Sequence, residues 1–158
     1  DWSSDVCSSD LADIFSGSGT FSLPLAKKSS VVAAEGEAAA LSALDRAWRD
    51  AAGQGLKPVQ IEKRDLHNRP LMAKELDQMK IQGVVFDPPR TGAQMQATQL
   101  AASKVKRVAA VSCNPTTFAR DLRILIDGGY RLQSITPLDQ FLWSPHVEAV
   151  ALLVRGKK

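Results

Sequence analysis

Cysteine is scarce in this sequence. Cys7 and Cys113 are the only two among 158 residues, too few for a disulfide framework or a cysteine-ligated metal cluster. Histidine is equally sparse, with two in the chain, which removes the other common basis for a metal site. No apolar run reaches the ~18–20 residues that a membrane-spanning helix needs, and no secretory leader is recognisable. Internal repeats, low-complexity tracts and evident linkers are missing as well. These absences argue against secreted disulfide scaffolds, metal-cluster proteins, integral membrane proteins and solenoids. What is present, 44% hydrophobic residues in 158, suffices for one buried core. One cytoplasmic domain is expected, monomeric, with neither metal nor membrane as partner.

The net charge is +3, yet Asp1, Asp5 and Asp10 all fall in the first ten residues. Without them, 20 basic and 14 acidic side chains leave +6, an excess that suits a polyanion. The opening stretch, residues 1–10, is polar, lacks a period and runs directly into a strand-like segment. It reads as a non-native leader, so the domain proper is residues 11–158, and Cys7 receives no function.

From Leu11 onward, short apolar runs alternate with helical patterns. Strands are expected at Leu11–Phe15, Val31–Glu35, Val59–Glu62, Gly83–Asp87 and Arg107–Ser112. Helices are expected at Phe21–Lys28, Ala38–Ala52, within Pro70–Met79 with Pro70 in the first turn, at Gln94–Ser103, and from Pro115 to the Gly128-Gly129 stop. Tyr130–Leu138 and His146–Val154 read as a final antiparallel pair at the sheet edge. The alternation predicts an α/β fold with a doubly wound sheet, parallel over at least five strands. Ligands of such sheets sit beyond the carboxyl ends of the strands. Asp13, Glu35, Asp65, Asp87 and Cys113 all lie at or near those ends.

Gly17-Ser18-Gly19 forms a turn that lets backbone approach a ligand at a helix start. Ser22 stands where a dinucleotide fingerprint needs its third glycine. Glu35 at the end of the second strand can accept both ribose hydroxyls, and Asp65 can receive an adenine amino group. Taken singly, each acid reads more readily as a solvated loop residue. Asp87-Pro88-Pro89-Arg90 is more specific, because two prolines hold the chain extended and aim the Asp side chain into the cleft. Cys113 ends a strand just before the helix that opens at Pro115, and a helix N-terminus favours thiolate. Glu148 is an acid inside an apolar strand, a placement that calls for a partner, a task or a water-facing edge. His146 reads as a structural hydrogen-bonding residue. Lys104, Lys106, Arg107, Arg120 and Arg123 are candidate phosphate contacts or plain surface.

Four stretches together resemble the RNA (uracil-5-)-methyltransferase family. They are the run from Asp13 to Leu23, Asp87-Pro88-Pro89-Arg90, Ser112-Cys113-Asn114-Pro115 and His146-Val147-Glu148, and the likeness covers Leu11 to Arg155. It implies a Rossmann-like class I methyltransferase sheet, seven-stranded and mostly parallel. It also implies transfer of a methyl group from S-adenosylmethionine to C5 of a uridine in rRNA or tRNA. By this resemblance Cys113 is the nucleophile that adds to C6 and Glu148 the base that removes the C5 proton. The donor contacts fall on Phe15, Gly17, Gly19, Thr20, Glu35, Asp65 and Asp87, with Thr20 where many members have Asn. Asp87 and Arg90 bind the flipped base. A glutamine-bearing donor loop, a β-barrel RNA-binding region and, in some members, an iron–sulfur cluster belong to the family's front part. Their sequences do not occur here, so weak donor affinity and an inactive fragment are both compatible with this reading.

Three other readings differ in product or class. A cytosine-5 RNA methyltransferase also attacks C6 with cysteine, but Glu148 and the Asp-Pro-Pro-Arg turn speak against it. A non-catalytic nucleotide- or RNA-binding module needs neither Cys113 nor Glu148. A nicotinamide dehydrogenase is disfavoured by Ser22.

Overall fold

The computed structural model describes residues 10–139, 143 and 147–156. Residues 1–9, including Cys7, and His146 lie outside the described residues.

Five parallel strands form the centre of the sheet: β1 (Leu11–Ile14), β2 (Val31–Glu35), β3 (Val59–Lys63), β4 (Gly83–Phe86) and β5 (Arg107–Ser112). Every residue of β1 and β4 is buried, as continuous apolar runs must be when helices cover both faces. β6 (Tyr130–Leu138) and β7 (Glu148–Arg155) complete the sheet, with β7 antiparallel to both β5 and β6. The spatial order is β3-β2-β1-β4-β5-β7-β6. The order reverses between β1 and β4, which makes that crevice the topological switch point.

Alternation along the strands divides the core into two layers. Val31, Ala33 and Val59 face α1 (Ser22–Ala26) and α2 (Ala38–Ala51), meeting Ala26 and Leu44. Ala12, Ile14, Val84, Phe86 and Val108 face α3 (Ala73–Gln78), α4 (Gln94–Ala102) and α5 (Pro115–Asp127), meeting Leu76, Leu100, Phe118, Leu122 and Leu125. Each fully buried Leu or Phe contributes roughly 1.5–3 kcal/mol, so this second layer holds most of the core.

Helix α5 forms where local signals agree. Asn114 caps it by accepting a hydrogen bond from Thr116 N at 3.1 Å, and Pro115 occupies the first turn. Gly128 ends it. At the far end of the sheet, Arg155 donates to the carbonyls of Leu100, Ala101, Val105 and Gly128 and lies 4.2 Å over the Tyr130 ring. One guanidinium thereby bonds two of the C-terminal carbonyls of α4 and ties β7 to α4 and to the turn after α5.

Three expectations need correction. Pro70 is not in the first turn of α3, which begins at Ala73. Gln96 clamps Leu71 through both its main-chain N–H (2.9 Å) and carbonyl (3.0 Å). Met72 therefore stays extended at φ −69°, ψ 149° before the helix starts. Phe15 does not continue β1, because it turns the chain at φ 65°. Asp13 is not a rim residue: it sits within β1 and is fully buried.

Candidate active site

The carboxyl ends of the parallel strands share one rim, and an antiparallel neighbour begins where they end. This rule alone gathers the site. Phe15 follows β1, Glu35 closes β2, Asp65 follows β3, Asp87 follows β4 and Cys113 follows β5, while Glu148 is the first residue of β7. The last paired residues of β5 and β7 are Ser112 and Ala149. Cys113 directly follows the first of these and Glu148 directly precedes the second, so both stand at the end of that pairing.

At the switch point, Phe15, Glu35, Gly36, Asp65, Leu66, His67, Asp87 and Pro89 line a cavity of about 390 Å³, a size typical of small-molecule sites. Four of the expected donor contacts, Phe15, Glu35, Asp65 and Asp87, therefore converge. The Phe15 ring lies 5.6 Å from that of His67, tilted by 54°. A bulky side chain at positive φ is a costly conformation that persists where the surroundings demand it. Here two bonds to the Ala34 carbonyl, from Phe15 N (3.0 Å) and Ser16 N (3.1 Å), hold the turn.

Glu35 accepts three main-chain hydrogen bonds, from Gly17 N (3.0 Å), Gly36 N (2.6 Å) and Glu37 N (2.9 Å). Its carboxylate thus pins the glycine turn to the end of β2 and keeps about one acceptor position for a ligand. Gly17 acts through this bond. Gly19 answers a packing demand: a Cβ there would lie 2.4 Å from Leu44 Cδ1, and its φ is +97°. Thr20 is exposed and is not among the cavity's lining residues. Asp65 is held ionised below the usual carboxylate range, first by the Asn68 side chain at 2.7 Å. Asp87 is pushed up, first by burial and then by the charge of Glu148. That coupling places Asp87 within electrostatic reach of Glu148 and links the cavity to the Cys113 side of the rim.

Beneath the glycine turn, Ser22 Oγ donates to Asp13 Oδ2 at 2.6 Å. Asp13 Oδ1 and Ser16 Oγ are buried without a partner. Burial raises the Asp13 pKa to about 6 against the opposing Ser22 bond, with Asp87 and Glu35 adding to the rise.

Cys113 is a half-buried free thiol at the start of α5. Neither it nor Glu148 and Arg90 lines the switch-point cavity. The Arg90 carbonyl accepts from Nδ2 of Asn114, the residue after Cys113, at 2.9 Å and from Thr117 Oγ1 at 3.1 Å. Sequence reasoning passed over His67, and it passed over Asp121, a buried carboxylate on the apolar face of α5. The signal for Asp121 was available, since it stands among Phe118, Leu122 and Leu125 at helical spacing. Among the described residues no group of three or more His, Cys, Asp or Glu side chains is arranged to hold a metal ion. None of the described helices is long and apolar enough to cross a membrane.

The sequence pattern of the tRNA (uracil-5-)-methyltransferase family matches residues 1–156. An uncharacterized RNA methyltransferase of Brucella melitensis biotype 1 is 61% identical over 148 residues, covering 94% of this chain and 35% of that protein. The 23S rRNA (uracil(1939)-C(5))-methyltransferase RlmD of Pseudomonas fluorescens is 41% identical over 153 residues, covering 96% of this chain and 33% of that protein. The chain spans about a third of the length of these curated relatives. Among solved structures, an rRNA methylase from Streptococcus thermophilus superposes with a TM-score of 0.68 at 17% identity, covering 96% of this chain and 89% of that one. The magnesium protoporphyrin IX methyltransferase of Synechocystis with bound SAM gives 0.68 at 16%, covering 92% and 69%. The sheet is that of the class I methyltransferases.

Proposed function

The chain belongs to the tRNA (uracil-5-)-methyltransferase family, and from that premise we propose that residues 11–158 are a catalytic domain that methylates C5 of a uridine in RNA. The observation that supports the reading is the end of the β5–β7 pairing, Ser112 with Ala149, which Cys113 follows and Glu148 precedes, while Asp87 after the neighbouring strand lines the cavity.

C5 of uracil is too weak a nucleophile to be alkylated unaided. The Cys113 thiolate adds to C6, and the electrons of the C5–C6 double bond move into an enolate that makes C5 reactive. S-adenosylmethionine, when bound, supplies the electrophilic methyl group. Glu148 then takes the proton from C5, the double bond re-forms, and the Cys113 sulfur leaves C6 as thiolate. Glu148 thus completes a turnover begun by the thiol.

The cavity residues fit the donor by chemistry. Glu35 has an acceptor position left for ribose hydroxyls, Asp65 carries a settled negative charge for the adenine amino group, and Phe15 offers an apolar face. The two unpartnered polar atoms, Asp13 Oδ1 and Ser16 Oγ, lie under the same turn. Gly17, Gly19 and Thr20 complete that turn, and Asp87 with Arg90 orients the pyrimidine. The uridine must be unstacked for the thiol to reach C6, and the basic excess of the chain suits rRNA or tRNA as the partner. Such a substrate sets the work in the cytoplasm, and one chain supplies every residue named.

The test is covalent trapping. Mixed with RNA transcribed with 5-fluorouridine and with millimolar S-adenosylmethionine, the protein is expected to form a complex that survives denaturing electrophoresis. Cys113→Ala is expected to form none. Methylation of RNA by Cys113→Ala at the wild-type rate would overturn the mechanism.

A further inference from the structure

We propose that Asp121 is a positioning residue of this site, acting through the loop that follows β4. The role rests on the pyrimidine reading above and adds to it a residue that touches neither donor nor base.

Asp121 is 2% exposed on the buried face of α5, in register with Phe118, Leu122 and Leu125. A carboxylate in that place is costly unless its oxygens are bonded. Its Oδ2 accepts from Ala93 N at 2.6 Å, and its Oδ1 accepts from Arg120 Nε at 2.9 Å. The Arg120 guanidinium in turn donates to the Thr91 carbonyl at 3.2 Å. Together with the bonds from Asn114 and Thr117 to the Arg90 carbonyl, three residues of the loop are fastened to the first two turns of α5. Between them Gly92 runs at φ +75°, and a Cβ on it would meet Arg120 Nη2 at 2.5 Å, Asp121 Oδ2 at 2.8 Å and Thr117 Cβ at 2.9 Å. The fit has no slack.

The fastening joins the two halves of the chemistry. The loop begins at Asp87 and carries Arg90. Helix α5 begins two residues after Cys113. With the clasp closed, the residues that orient the pyrimidine and the thiol that attacks it are held as one body. An apolar side chain at position 121 would suit the apolar face of α5 but leave the Ala93 N–H without its acceptor. What the carboxylate adds is direction: it fixes where Ala93, and with it the loop, lies against the helix. Displacement of a reacting group by about 1 Å costs up to roughly a hundredfold in rate.

Asp121→Leu keeps the apolar face and removes the bonds, Asp121→Asn keeps an acceptor for Ala93, and Gly92→Ala pries the clasp from the loop side. Hydrogen exchange read by mass spectrometry over residues 90–93 is expected to quicken about tenfold or more in Asp121→Leu and Gly92→Ala, with residues 31–35 unchanged. The maximal rate of 5-fluorouridine RNA adduct formation is expected to fall roughly ten- to a hundredfold in both. The RNA concentration for half-maximal rate should stay within about twofold, and Asp121→Asn should recover most of the rate. Should Asp121→Leu fail to fold, Gly92→Ala against Asp121→Asn decides by the same readouts. Unchanged exchange overturns the clasp, and faster exchange with an unchanged maximal rate overturns the positioning role. RNA methylation by the wild-type protein without any adduct sinks the pyrimidine reading and this role with it, whereas adduct formed equally by wild type and variants sinks the role alone.

Discussion

Cys113 and Glu148 stand one register step beyond Ser112 and Ala149, the last paired residues of β5 and β7. They are 35 positions apart in the chain, and the antiparallel pairing of their neighbours brings both to the end of the sheet where the parallel strands also terminate. An acid that looks misplaced in an apolar strand is there because it is the strand's first residue.

Glu148→Gln should separate the two halves of the reaction. Thiol addition and methyl transfer need no carboxylate, but proton removal from C5 does. Turnover is expected to fall by roughly 10²–10⁴, with a Cys113–RNA complex accumulating on ordinary uridine RNA. Denaturing electrophoresis of unmodified RNA with this variant is the measurement, and free methylated RNA at the wild-type rate would rule out the role.

Glu35→Ala releases Gly17 N, Gly36 N and Glu37 N at once. Both the turn and the ribose acceptor are lost. Affinity for S-adenosylhomocysteine, read by calorimetry, is expected to drop about tenfold or more. Equal affinity in variant and wild type would remove Glu35 from the donor site.

Asp13 makes a pH prediction. Its folded-state pKa is about 6 against an ordinary value of 3.8, and burial is the main cause. The folded state therefore holds this proton more tightly than the unfolded chain. Stability from this group is present below pH ~4, declines as pH rises to ~6 and is flat above, a loss of about 3 kcal/mol. Asp13→Asn keeps an acceptor for Ser22 and cannot ionise. Urea unfolding should show the variant matching wild type near pH 4 and exceeding it by about 2–3 kcal/mol near pH 8. A difference independent of pH would contradict the assignment.

Arg155 bonds four carbonyls with one planar fork. Lysine has three donors on a point charge and cannot reproduce that geometry. Arg155→Lys and Arg155→Ala are both expected to lose about 2–4 kcal/mol in urea unfolding, with donor affinity unchanged because the rim lies at the other end of the sheet. A variant Arg155→Lys as stable as wild type would show that charge alone suffices.

Much of this architecture could be read along the chain. The five parallel strands, the α5 boundaries at Pro115 and Gly128, and the closing pair all follow from short-range patterns. Apolar runs, caps and glycine stops act over a few residues and need no partner to be recognised. The errors at Pro70 and Phe15 came from contacts that no local pattern carries. Gln96 reaches back to Leu71 across 25 positions, and the Ala34 carbonyl holds the Phe15 turn.

The candidate site divides the same way. Acids and thiol at strand ends were visible one at a time, because strand ends are local features and the rim rule collects them. Which of them are neighbours was not. That Cys113 and Glu148 come to the same end of the β5–β7 pairing depends on strand register. The charge felt by Asp87 depends on the approach of Glu148. The use of Glu35 as a brace for Gly17, and of Asp121 as a clasp on Ala93, depends on hydrogen bonds between segments 18 and 28 positions apart. The sequence by itself determined the strands, the helices and the residue types at the rim, because those follow from propensity and periodicity. The tertiary structure alone decided distances, burial and partners, because these are set by how the helices and strands pack and not by any one of them.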